Sequence, residues 1–389
     1  MVLKNVLIYT EEKKFIVGAV RSENGYITQV WLGESAEHIT VDAEEEEVID
    51  GFGAYLIPGM IDIHLHGCRG FDFCDGTMEA VGEIAKYQAS IGVTTFAPAT
   101  MTLPLEQLKG ILQTGAGFVK EKQQGKHLKC ADLAGINMEG PFISKEKKGA
   151  QNKAHILLPD AAVFDELQQA ADGLVKYIGI APEIDGAMEF IRQVRGQTKI
   201  SIAHSNADYK TARGAFNTGA SHVTHLYNAM PAFNHREPGI VGAVADCGQV
   251  EAELICDGVH VHPAVIRSTF ALLGADRIIM ISDSMRATGM QEGEYELGGQ
   301  KVMVQGERAL LPDGTIAGSV TSLPDCFRYA VRDAGILLED AVACVTVKPA
   351  KSLGIYQECG SIAVGKRADM VLLSKKLETI LVVKNGLLL

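Results

Sequence analysis

The stretch Ile61-Asp62-Ile63-His64-Leu65-His66 decides how the rest of the chain reads, because a short apolar run closes there on two imidazoles. Histidines two apart on an ideal strand face the same way, so both can reach one point beyond the strand end. Seven further runs of this kind follow, at residues 93–98, 134–138, 177–182, 200–204, 222–225, 253–256 and 277–283, with helix-compatible segments between them. Continuous apolar strands alternating with helices indicate a parallel sheet covered on both faces. Eight such units match an α/β fold of the (β/α)8 TIM-barrel type. A doubly wound open sheet is the competing architecture, but Gly67, Gly70 and Gly76 after the first run do not make GxGxxG.

Outside this central region the texture changes. Residues 5–9, 15–20 and 26–31, with Asn24-Gly25 between the last two, read as antiparallel strands joined by tight turns. The other end has the same pattern at 361–364, 369–373 and 378–383, with Asn385-Gly386 as a turn. Neither end offers enough strands for its own core, so both are expected to meet in one small β-sandwich domain. The divisions are residues 1–55 and 346–389 for that domain and 56–345 for the barrel. A glycine-rich insertion, with hairpin arms at 295–299 and 301–304, falls after the eighth run and would sit above the barrel mouth as a lid or a dimer contact.

The 389 residues carry 48 acidic and 36 basic side chains, for a net charge of -12. Such a surface repels nucleic acid and anionic lipid, but a small anionic substrate remains compatible with a local arginine. No apolar run approaches the ~20 residues needed to span a bilayer. The eight cysteines are dispersed without a CxxC pair and read as reduced thiols. The expectation is a cytoplasmic enzyme.

Side chains able to bind metal stand where the apolar runs end. His64 and His66 close the first, Glu139 follows the third, His204 ends the fifth, His225 the sixth and Asp283 the eighth. In a TIM barrel those ends converge on one face, where active sites form. Imidazole and carboxylate suit zinc or ferrous iron. Asp283 is the candidate proton carrier beside an activated water. His222, three before His225, is expected to face away from the site on a regular strand.

These residues sit in segments that resemble the N-acetylglucosamine-6-phosphate deacetylases of the amidohydrolase superfamily. The carriers are residues 58–67, Glu139-Gly140-Pro141-Phe142, Lys148-Gly149-Ala150, His225-Leu226-Tyr227-Asn228-Ala229-Met230, His235-Arg236-Glu237-Pro238-Gly239, Asp257-Gly258-Val259-His260 and Ser282-Asp283-Ser284-Met285. The resemblance implies that Glu139, His204 and His225 hold the principal divalent metal, zinc or iron. His64 and His66 would help hold a second, giving one or two ions per subunit. It implies Asp283 and His260 as catalytic groups, with His260 on the acetamido carbonyl. Substrate contacts would come from Ala150, Gln151, Asn228, Ala229, Asp257, Ile316, Ala317 and Gly318, with Arg236 on the phosphate. A homodimer acting on a phosphorylated N-acetyl amino sugar is implied, with the phosphate site near the partner.

Gln151 departs from the pattern, since histidine is common there in relatives. Rival readings are the galactosamine epimer, a cyclic amide or an N-acyl amino acid as substrate, and a barrel without activity. A serine nucleophile is disfavoured, because no GxSxG elbow appears.

Overall fold

Eight parallel strands form the centre of the molecule in the computed structural model, which describes residues 1–39 and 47–389. They are Met60–Leu65, Val93–Thr100, Ile136–Phe142, Val175–Ile180, Lys199–Ile202, His222–Val223, Glu251–Ile255 and Ile278–Ile281, and they pair in that order. The first three are buried along their whole length, as strands covered on both faces must be. Side chain and loop contacts bring the last back to the first. Ser282 Oγ donates to Asp62 Oδ2 at 2.6 Å, and the Asp283 N–H donates to His64 O at 2.9 Å.

Helices cover the outside, and their starts are set by side-chain caps. Thr77, Asp160 and Asp208 accept backbone N–H groups in the first turns of Met78–Ser90, Ala161–Ala170 and Tyr209–Thr218. Such caps contribute about 1 kcal/mol each. Phe190 on the helix Ala187–Val194 packs its ring 5.0 Å from Phe142 and 6.0 Å from Phe164, locking the third strand to its covering helices.

The two chain ends meet in one seven-stranded sheet, ordered Leu387–Leu388, Thr379–Lys384, Met370–Leu373, Val48–Pro58, Val2–Tyr9, Phe15–Glu23 and Tyr26–Leu32. Its far edge curls back onto the C-terminal segment. Ile27 N–H donates to Lys366 O and Ala368 N–H to Gly25 O, both at 2.8 Å. The sheet thereby closes around its own core of Leu3, Ile8, Val20, Leu56, Met370 and Val383.

Three details differ from expectation. Residues 361–364 form no strand; they turn, with Lys366 N–H bonded to Ala363 O, and only Ile362 enters the sheet core. The strand Val48–Pro58 runs past the 55/56 division, and the helix Val347–Leu353 beyond residue 345 packs on the barrel through Tyr177 and Lys199, both of which bond Ser352 Oγ. The insertion is a three-stranded sheet, Gly293–Leu297, Gln300–Gln305 and Arg308–Leu310, rather than a plain hairpin.

Lys384 joins the terminal sheet to the barrel. Its fully buried ammonium lies 2.7 Å from Asp132 and 2.9 Å from Asp369. Arg367 and Lys122 also pair with Asp132, at 2.9 and 2.5 Å. Among the described residues, no helix is long and apolar enough to cross a membrane.

Candidate active site

The C-terminal ends of the barrel strands bring the candidate ligands together. His64 and Glu139 lie within the first and third strands, and His66 is one residue past the first. His204, His225 and Asp283 each stand two residues past their strands, with φ of 44°, 28° and 51°. Left-handed backbone at non-glycine residues costs on the order of 1–3 kcal/mol each and is retained where function requires a particular aim. Here the twist turns side chains leaving three different strands toward one point.

Glu139 is that point. Its Oε1 is 2.9 Å from His204 Nε2, 2.7 Å from His225 Nε2 and 3.6 Å from His64 Nε2. Its Oε2 is 3.3 Å from His66 Nε2. Asp283 Oδ1 lies 3.3 Å from His66 Nε2 and 3.5 Å from His64 Nε2. Ligand atoms of Glu139, His204 and His225 fall within 4.8 Å of one another, as do those of His64, His66 and Glu139.

Proton bookkeeping tests whether a cation fits. A carbonyl oxygen only accepts, so His204 Nδ1, 2.9 Å from Lys147 O, carries that ring's proton. In the neutral ring, Nε2 then turns a lone pair toward the Glu139 carboxylate. His64 repeats the arrangement, with Nδ1 2.8 Å from Glu253 Oε2 and a buried Nε2 without a hydrogen-bond partner. Asp283 Oδ1 is likewise buried and unpartnered. Acceptor lone pairs converging in a dry site repel unless positive charge lies among them.

The titration behaviour agrees. Burial lowers the His64 pKa, but Glu253, Glu139 and Asp283 outweigh it and raise it to about 9. His66, against the same burial effect, is held well above its ordinary value by Asp283 and Glu139. Burial raises the Glu139 pKa, yet His204 and His64 keep it well below the usual carboxylate range. The cluster demands positive charge, and a divalent ion on these nitrogen and oxygen donors meets that demand.

A cavity of about 360 Å³ opens over the cluster, within the size range of small-molecule sites. Ala150, Gln151, Asn228, Ala229, His260, Ile316 and Gly318 line it with Asp283. Gly149 belongs at its position for two reasons: φ is 55°, and a Cβ would come within 3.1 Å of the His204 ring. The insertion closes the cavity from above, with Leu297 in the lining and Gln300 Nε2 bonded to Ala150 O.

Three of the residues expected to contact substrate do not line this cavity. Ala317 is fully buried behind the lining, with its N–H on Ala309 O. Asp257 spends its carboxylate behind His260, accepting from His260 Nδ1 at 2.7 Å and from the Val259 and His260 N–H groups at 2.9 and 2.8 Å. Arg236 is exposed on the loop after Asn228 and does not line the cavity; among the described residues, Lys147 is the one lysine or arginine that does.

His222 also corrects its expectation. The strand ends at Val223 and His225 is left-handed, so alternation does not separate the two histidines. His222 Nε2 lies 3.9 Å from Glu253 Oε1, beneath the site. Glu253 itself escaped the sequence reading. Fully buried on the seventh strand, it bonds His64 Nδ1, the His225 N–H at 3.1 Å and Asn137 Nδ2 at 3.3 Å. It holds two candidate ligands in place.

Residues 55–389 match the amidohydrolase family. The chain is 37% identical over 388 residues to an N-acetylglucosamine-6-phosphate deacetylase of Bacillus subtilis (strain 168), covering 99% of this chain and 96% of that protein. It is 33% identical to an N-acetylgalactosamine-6-phosphate deacetylase of Escherichia coli O157:H7, over 83% of this chain and 84% of that one. A solved structure of a mutant N-acetyl-D-glucosamine-6-phosphate deacetylase from Mycobacterium smegmatis, in complex with N-acetyl-D-glucosamine-6-phosphate, superposes with a TM-score of 0.89 at 31% identity, covering 100% and 98% of the two chains.

Proposed function

This chain belongs to the N-acetylglucosamine-6-phosphate deacetylases of the amidohydrolase family, and we propose that it hydrolyses the acetamide of N-acetyl-D-glucosamine 6-phosphate to D-glucosamine 6-phosphate and acetate. The observation that carries this reading is the convergence of Glu139, His204 and His225 within 4.8 Å, under a cavity that Asp283 and His260 also line.

We assign Glu139, His204 and His225 to the principal metal, zinc or iron, and His64 and His66 to a second where two are bound. A divalent ion held there supplies Lewis acidity, polarising a carbonyl and making water more acidic. Asp283 takes the proton of the water that adds to the amide carbon. As the carbon–nitrogen bond breaks, Asp283 returns the proton to the departing amine, so one water is consumed and acetate leaves. Its unpartnered Oδ1 is free for both transfers.

His260 serves the carbonyl oxygen. Its Nδ1 is held 2.7 Å from Asp257 Oδ2, which fixes the ring where it lines the cavity. Asn228, the Ala229 backbone, Ile316 and Gly318 orient the sugar. Arg236, exposed outside its own cavity, reaches the phosphate of a partner's substrate in a homodimer, where guanidinium geometry suits a phosphate. The cytoplasm is the proposed compartment.

The test is acetate release by metal-loaded protein from N-acetylglucosamine 6-phosphate, beside the unphosphorylated sugar and the galactosamine epimer. Turnover of the phosphorylated glucosamine substrate is expected to be fastest. Preference for the epimer, or indifference to the phosphate, contradicts the assigned substrate.

A further inference from the structure

Gln151 holds a position that its assignment to sugar recognition does not explain. The side chain is 2% exposed and its amide is committed at both ends. Its Oε1 accepts the Thr102 N–H at 2.7 Å, and its Nε2 donates to Glu139 Oε2 at 2.7 Å. A backbone N–H can only donate, so the amide cannot be flipped without facing donor to donor and acceptor to carboxylate. The second Nε2 hydrogen is directed toward Met101 Sδ, 3.7 Å away.

Thr102 follows the second barrel strand and Glu139 lies in the third. The amide is therefore a fixed strut from one strand's end to the carboxylate on the next. With Oε2 tethered, Oε1 is the oxygen turned to His204 and His225. Rotation of the carboxylate plane away from this setting would carry the oxygen out of line with both rings.

We propose that Gln151 is a positioning residue that sets the orientation of Glu139 for the metal, rather than a contact to the sugar. The inference rests on Glu139, His204 and His225 being metal ligands, and its test separates the two. Groups that orient a ligand from behind typically change metal affinity 10- to 100-fold when removed. Methionine matches glutamine in length but has no N–H to give, whereas histidine restores a ring N–H.

The experiment measures Zn²⁺ affinity of the purified protein by competition with a chromophoric chelator, for wild type, Gln151→Met and Gln151→His. Alongside it, KM for the phosphosugar is measured at saturating Zn²⁺. Gln151→Met is expected to bind Zn²⁺ about 10- to 100-fold more weakly with KM unchanged, and Gln151→His to stay within about threefold of wild type. Wild-type Zn²⁺ affinity in Gln151→Met together with a raised KM overturns the proposal and restores the sugar contact. If Gln151→Met does not fold, Gln151→His decides, and a tenfold or greater loss of Zn²⁺ affinity in that variant overturns it. A wild-type protein that binds no Zn²⁺ instead refutes the metal-site reading beneath it.

Discussion

Replacing Asp132 by asparagine removes the charge at the joint between the terminal sheet and the barrel. The carboxylate meets Lys384 at 2.7 Å, Arg367 at 2.9 Å and Lys122 at 2.5 Å, with its side chain only 15% exposed. Burial raises its pKa, but Lys384, Arg367 and Lys122 outweigh that and bring it from 3.8 down to about 2. Because the folded value is depressed, the stabilisation is present above the unfolded pKa and is lost as pH falls toward about 2. At 1.36 kcal/mol per unit, the shift corresponds to about 2.5 kcal/mol at pH 7 and roughly half that at pH 3. With ~2.1 cal/mol/K of unfolding entropy per residue, a chain of this size should lose about 3 °C in Tm.

Asparagine is close to an uncharged isostere of the protonated acid, so wild type should approach the variant on acidification. The assay is urea and thermal unfolding of Asp132→Asn and wild type at pH 7 and pH 3, with turnover measured at 25 °C. The expected result is a stability gap that shrinks by about half at the lower pH, with turnover unchanged, since the joint lies away from the cavity. A gap that is absent at pH 7, or that widens at pH 3, refutes the electrostatic account of the joint.

Asp283→Asn should keep its metal content, measured by elemental analysis, while turnover falls about 10²- to 10⁴-fold; retained turnover removes it as the proton carrier. Glu253→Gln takes away the charge behind His64 and should weaken metal binding about 10- to 100-fold in a chelator titration. Unchanged affinity would leave Glu253 a structural role only. Arg236→Ala should raise KM for the phosphorylated sugar about tenfold or more, as expected for a lost charged contact, and leave the unphosphorylated sugar unaffected. An equal effect on both would detach Arg236 from the phosphate.

The barrel is legible because strands buried on both faces carry continuous apolar runs, and because the polar exceptions at 64, 204, 225 and 283 fall at or just beyond strand ends, with Glu139 inside the third strand rather than after it. The site's supporting groups were harder to read. Glu253 alternates with apolar residues in Glu251–Ile255, a pattern equally consistent with a solvated strand face; only closure of the barrel turns that face toward His64. His222 is hard to read for the opposite reason, since strand alternation does not extend beyond Val223, where the strand ends. Residues 361–364 looked like a strand from Ile362 and Val364, but Ile362 is buried while Val364 is 63% exposed on a turn. The place of Arg236 outside the cavity depends on loop geometry that no local pattern encodes.

X-ray data collected on crystals of the active protein, on either side of the zinc and iron absorption edges, test the metal centre most directly. An anomalous peak is expected about 2.0–2.2 Å from a Glu139 carboxylate oxygen, His204 Nε2 and His225 Nε2. Active crystals with no peak within ~4 Å of those three atoms, well beyond coordination distance, would contradict it.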